Sequence, residues 1–258
     1  MKNSRVHSLS ARGYANTWLI EENDLFMAVD VSTRHDAEQL CHYMRDVLKV
    51  SLERLVLITA THFHVDHIGG IEALLSRCPW ARVHFNYRVR NYITGKEGLA
   101  VPPLSRWIMG VVSIVPRIPR VLKGSIYGMG CPKWGTPTPL MRKRNAVSYD
   151  ASCDLVDGSI PNGFPSWQVI ETPGHTPDSI CFYNEKDRIL ITGDTILNLR
   201  GRGELNSFCA CPGDMLSSYN RLLDYPVESI YPGHGTAIIG KPGLLNHLSR
   251  RGLKGRSF

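Results

Sequence analysis

Apolar positions along this chain fall into two periods, and the changes between them mark its elements. In "ANTWLIEENDLFMAVDVS", Ala15 to Ser32, two apolar runs flank a polar stretch at Glu21 to Asp24, which predicts two strands joined by a turn. Ala37, Leu40, Cys41, Met44, Val47 and Leu48 then recur at helical spacing behind Asp36, read as the helix cap. "RLVLITA" from Arg54 is short, continuous and apolar, as a buried strand is. Ile68, Ile71, Leu74 and Leu75 mark a helix after Gly69-Gly70, and "ARVHFN" from Ala81 predicts another strand.

The pattern breaks after Arg90 and returns with "WQVIETPGHTPDSICFYNEKDRILITGDTIL" from Trp167. This stretch predicts a strand, a loop at Thr172 to Pro177, a strand, a turn at Asn184 to Asp187, and a strand ending at Gly193. Met215, Leu216, Tyr219, Leu222 and Leu223 form one helical face; "VESIYPGHG" reads as a short strand entering a loop, and "LLNHLSR" as a closing helix. The polar residues of chemical interest sit where strands end, the usual place for chemistry on a rigid scaffold.

Composition adds bounds. With 258 residues and 43% hydrophobic content, the chain is expected to form one globular domain over 1–258, with 91–150 as an insert. No run reaches the roughly 18 apolar residues of a membrane span. The opening residues lack a signal-peptide pattern, so a cytoplasmic location is expected. Seven scattered cysteines without a CxxC pair argue for reduced thiols. The formal net charge of +7 is unevenly distributed. Between Arg88 and Tyr149 stand eleven basic residues and a single acid, Glu97, a local balance of +10 that leaves −3 elsewhere.

The candidate chemistry lies in "THFHVDHIGG", where His62, His64, Asp66 and His67 crowd into six residues after an apolar strand. Three later loops add His175 in "TPGHTP", Asp194 in "TGDT" and His234 in "YPGHG". Imidazole nitrogen and carboxylate oxygen are the donors that borderline divalent metals prefer. Seven such donors exceed one tetrahedral ion and suit two, with a carboxylate shared. Alternate residues of an extended segment point the same way, so His62 and His64 can grip one ion while Asp66 reaches its neighbour. His84 is expected to be an ordinary strand histidine, and His7, His35, His42 and His247 surface residues.

"THFHVDHIGG", "TPGHT", "TGDT" and "PGHG", in this order, resemble the metallo-β-lactamase superfamily, and within it the branch of glyoxalase II-like hydrolases and lactonases. The resemblance implies an α+β fold, a four-layer αββα sandwich. It implies that His62, His64 and His175 hold a first metal, that Asp66, His67 and His234 hold a second, and that Asp194 bridges them. Zinc is the expected metal, with iron or manganese as alternatives. The implied activity is two-metal hydrolysis by a metal-bridging hydroxide, with Asp66 also moving a proton.

Departures from subfamilies narrow the expectation. The bridging Asp194 argues against a true β-lactamase. Quorum-signal lactonases carry a tyrosine shortly after that aspartate, whereas Thr195, Ile196 and Leu197 follow it here. The expected substrate is a small ester, thioester or lactone, anionic or lipid-like. A metal-dependent phosphodiesterase is the alternative, and a mononuclear-iron sulfur dioxygenase a more distant one. The basic, apolar segment around Trp107 to Val115 reads as a lid, a homodimer interface or a membrane-surface contact, and a nucleic-acid partner is not expected.

Overall fold

The computed structural model describes residues 4–9, 15–99, 147–199, 201 and 203–248. Most of the predicted insert, and with it Trp107, lies outside the described residues. The described chain forms two compact units. The first comprises residues up to 99 with 147–155 and 162–164, and the second 156–161 with 165–248.

The first unit is built on a six-stranded sheet in the order β1-β2-β3-β4-β5-β6. Its strands are β1 Arg5–Ser8, β2 Trp18–Glu22, β3 Leu25–Val29, β4 Leu55–Thr59, β5 Arg82–Asn86 and β6 Ser152–Leu155. β1, β2 and β3 are antiparallel neighbours, while β3, β4, β5 and β6 run parallel. The β2–β3 turn places both Asn23 and Asp24 at positive φ, the tight hairpin geometry that these two residue types tolerate best. Parallel neighbours need crossovers. Helix α1, Arg34–His42, links β3 to β4, and α2, Val65–Ile68, with α3, Ile71–Leu75, links β4 to β5. A further helix, α4, spans Val89–Ile93.

Periodicity explains the layering. Leu19, Phe26, Ala28, Leu55, Ile58, Val83 and Phe85 face one way and pack with Ala37, Leu40, Ile71 and Leu74 of the helices. Their strand neighbours Trp18, Ile20, Met27, Val29 and Leu57 are equally buried on the opposite face, so the sheet is covered on both sides.

Three expectations need correction. The cap of α1 is Thr33, not Asp36: Thr33 Oγ1 accepts the Asp36 amide at 3.2 Å and donates to its carboxylate at 2.7 Å, a reciprocal cap. The helical pattern does not continue through Val47, because Tyr43–Val47 widens into a π-turn that rotates Val47 outward, 57% exposed. His7 is not a surface residue. It is half-buried between Tyr43 Oη at 3.1 Å and Glu21 Oε2 at 3.0 Å.

The second unit holds a four-stranded sheet in the order β12-β9-β8-β7. Its strands are β7 Trp167–Glu171, β8 Ile180–Asn184, β9 Ile189–Gly193 and β12 Ser229–Pro232, with a small hairpin of β10 Ile196–Leu197 and β11 Glu204–Leu205. Helix α5, Pro212–Leu222, packs Met215, Tyr219 and Leu222 against Ile170, Cys181, Leu190 and Ile230. Full burial of Met215 or Leu222 contributes about 1.5–3 kcal/mol each. The closing helix predicted from "LLNHLSR" is a single 3₁₀ turn, Leu244–His247, in the described residues. With β7 and β9 both antiparallel to β8, and β12 parallel to β9, the strands β7, β9 and β12 all end at the same edge. His175, Asp194 and His234 follow those three ends.

Candidate metal centre

In the first unit, β4 ends at Thr59 and the chain turns through Ala60 to His64 into α2. Four predicted residues sit here. His62 and His67 are buried, and His64 and Asp66 half-buried. Nε2 of His62 lies 3.0 Å from Nδ1 of His64. The rings of His62 and His67 are 4.0 Å apart, and His67 Nε2 is 3.9 Å from Asp66 Oδ2. The donor atoms of His62 and His64, and those of Asp66 and His67, each fall within 4.8 Å of one another.

Asp30, at the end of β3, organises this loop. It is fully buried and takes a positive φ. Oδ1 accepts the Thr61 amide at 2.7 Å, and Oδ2 accepts the Thr61 hydroxyl at 2.8 Å. The Thr61 hydroxyl has thus spent its proton and accepts from His62 Nδ1 at 3.2 Å. His67 Nδ1 lies 3.0 Å from Asp30 Oδ2, an ion-pair contact between two wholly buried side chains. The His62 imidazole is thereby set with the proton on Nδ1 and the lone pair on Nε2.

The second unit repeats the device. His175 Nδ1 donates to the Phe208 carbonyl at 2.7 Å, and the His175 carbonyl accepts from Ala210 N at 3.0 Å. Asn206 Oδ1 accepts from Phe208 N at 2.9 Å, fixing the carbonyl that fixes the histidine. His175 Nε2 then faces Asp194 Oδ2 at 3.5 Å, and His234 Nε2 faces Asp194 Oδ1 at 3.4 Å. Gly233 makes this approach feasible: a Cβ there would stand 2.4 Å from Asp194 Oδ1 and 2.8 Å from the Gly193 carbonyl carbon. Gly174, at φ +145, presses the His175 loop onto α5, where a Cβ would meet the Met215 Cα at 2.5 Å.

These groups fit a divalent cation. In each unit, ring nitrogens converge on one another or on a carboxylate, a donor set that a divalent cation satisfies. The donors are all nitrogen and oxygen, the set for zinc, iron or manganese. Asp30, Thr61 and Asn206 had not been singled out as site residues. The available signals were an acid closing the apolar run "FMAV" and a threonine directly before the first histidine of the pair.

Comparison with known proteins agrees with this chemistry. The sequence profile of the metallo-β-lactamase superfamily matches residues 11–234. A Bacillus subtilis protein named as a probable metallo-hydrolase is 25% identical over 254 residues, covering 92% of this chain and 86% of that protein. The hydroxyacylglutathione hydrolase of Francisella tularensis subsp. tularensis is 37% identical over 189 residues, covering 72% of this chain. The match covers 50% of the Francisella protein. The crystal structure of the BLEG-1 B3 metallo-β-lactamase shares the fold with a TM-score of 0.62 at 20% identity, covering 98% of this chain and 100% of that one.

Proposed function

The chain belongs to the metallo-β-lactamase superfamily and is a metal-dependent hydrolase; from that premise we propose that it is a two-metal enzyme acting on an ester, thioester or lactone. The observation that carries the proposal is the shared tautomer of His62 and His175, each with Nδ1 committed to an oxygen and Nε2 turned to other candidate ligands. The two donor pairs of the first unit, His62 with His64 and Asp66 with His67, are each short of a four-coordinate shell. The three donors of the second unit complete them. His62, His64 and His175 hold one ion, Asp66, His67 and His234 the other, and Asp194 both. Zinc is the proposed metal, with iron and manganese the alternatives that the same donors accept.

When bound, the two ions supply Lewis acidity, which lowers the pKa of a water and polarises the scissile carbonyl. The chain's own residues do the rest. Asp30, through Thr61, and the Phe208 carbonyl keep His62 and His175 in their ligating tautomer. Asp66, with a side chain 35% exposed, is the carboxylate with access to solvent and takes the proton from the attacking water. Burial of His62, His175 and Asp194 keeps bulk water from competing for the donors.

An anionic or amphipathic substrate is favoured by the basic stretch between Arg88 and Tyr149. The Francisella relative is named for hydrolysing an S-acyl glutathione, which favours the thioester among the three bonds. Turnover of an ester, thioester and lactone panel by the metal-loaded protein tests the reading. Hydrolysis of phosphodiesters with silence across that panel would instead establish the phosphodiesterase alternative, which the same cationic stretch favours. One iron per chain with sulfur oxygenation would establish the dioxygenase.

A further inference from the structure

We propose that Asn198 is a positioning residue for His234, holding the loop that presents this histidine; the proposal rests on the two-metal reading above. Four observations converge on it. β12 shifts register against β9 between Tyr231 and Pro232, and the last bond between the two strands, Gly233 N to the Gly193 carbonyl at 2.7 Å, comes just before His234, where that ladder ends. His234 stands between Gly233 and Gly235, the least restrained neighbours a ligand can have. Gly235 adopts φ +93, and a Cβ there would stand 2.1 Å from the Asn198 carbonyl oxygen. Asn198 itself is 4% exposed and bridges Gly235 outside the named strands.

Its hydrogen bonds cover the loop on both sides of the histidine. Asn198 N donates to the His234 carbonyl at 3.1 Å, and its carbonyl accepts from Thr236 N at 3.3 Å. The side-chain Nδ2 donates to the Thr236 carbonyl at 2.8 Å and to Thr236 Oγ1 at 3.1 Å. Oδ1 accepts from Gly203 N at 3.1 Å. Both amide protons and the amide oxygen are therefore used, and no other side chain of similar size offers two donors and an acceptor in this arrangement. One residue thus carries the loop on past the end of the ladder. A ligand on an unsupported glycine loop would lose its conformational entropy at the moment of metal binding; Asn198 removes that cost in advance.

The effect is selective, which separates positioning from general support of the fold. Apo protein is titrated with Co²⁺ against a chromophoric chelator, for wild type, Asn198→Ala and Thr236→Val, with thermal unfolding of each apo chain alongside. Wild type takes up two equivalents. In Asn198→Ala the equivalent held by Asp66, His67 and His234 weakens about 10–100-fold, and its absorption band shifts, while the other equivalent is unchanged. Thr236→Val removes one acceptor from an exposed residue, folds normally, and weakens the same equivalent by a smaller factor. Equal weakening of both equivalents, or no change in either variant, overturns the proposal. Should Asn198→Ala fail to fold, Thr236→Val decides by the same comparison. A wild-type chain that takes up fewer than two ions refutes the two-metal centre itself, and is recognised before either variant is compared.

Discussion

Oδ2 of Asp30 lies 3.0 Å from Nδ1 of His67, and both side chains are wholly buried. The same oxygen accepts the Thr61 hydroxyl, so one carboxylate touches His67 directly and sets the tautomer of His62 through Thr61. Asparagine tolerates the positive φ of this position, so Asp30→Asn is expected to fold. Its amide has one acceptor oxygen where the carboxylate uses two, and metal affinity is expected to fall about 10–100-fold in a chelator competition. Asp30→Ala strands the Thr61 amide and removes the buried ion-pair partner of His67, and urea unfolding of the apo chain is expected to register a loss of about 3–5 kcal/mol.

Gly233 offers a second test, on the other set of donors. A methyl group there would stand 2.4 Å from Asp194 Oδ1, so Gly233→Ala must push that carboxylate away from His175 and His234. A displacement on the scale of an ångström in a reacting geometry costs about 100-fold. The variant is expected to lose at least that factor in kcat/KM on whichever panel substrate wild type turns over. Retained activity would mean that Asp194 is not in the centre.

How far the sequence alone reveals this site depends on the kind of signal each residue carries. The proposed donors His62, His64, Asp66, His67, His175, Asp194 and His234 stand out because histidines and aspartates recur in loops directly after apolar strands. Asp30 and Asn198 do not, since Thr61 and Thr236, which they hold, lie 31 and 38 residues away and no local pattern marks either pair. The same limit governs the fold. The long apolar strands β2, β3, β4, β7, β8 and β9 are evident from pattern. The β10–β11 hairpin has two residues per strand, too few for a period, and is defined by pairing alone. The π-turn at Tyr43–Val47 leaves the apolar spacing intact while rotating the face, which periodicity does not register.

A stability prediction follows from Asp157 and Arg221. The guanidinium donates to the carboxylate at 2.6 Å, and the Glu171 amide donates to it at 2.9 Å. The Arg221 hydrogen bond holds the Asp157 carboxyl below its usual value of 3.8. A group with a lowered native pKa binds fewer protons folded than unfolded. Its stabilisation is therefore complete above that usual value and is lost as pH falls through the lowered one. Both side chains are more than a third exposed, so screening limits the pair to about 0.2–1 kcal/mol. Asp157→Asn is expected to lower the thermal midpoint slightly at neutral pH and low salt. The difference from wild type should vanish in strong acid and shrink at high salt. A difference that persists at both extremes would mean that the pair contributes by packing, not charge.

The two-metal account is tested most directly by elemental analysis of the purified chain after saturation and removal of loosely held ions. Seven donors arranged as two pairs and a shared set predict two divalent ions per chain, falling to one when His234 is replaced by alanine. A single iron per chain in the wild type, or an unchanged count in His234→Ala, would contradict it.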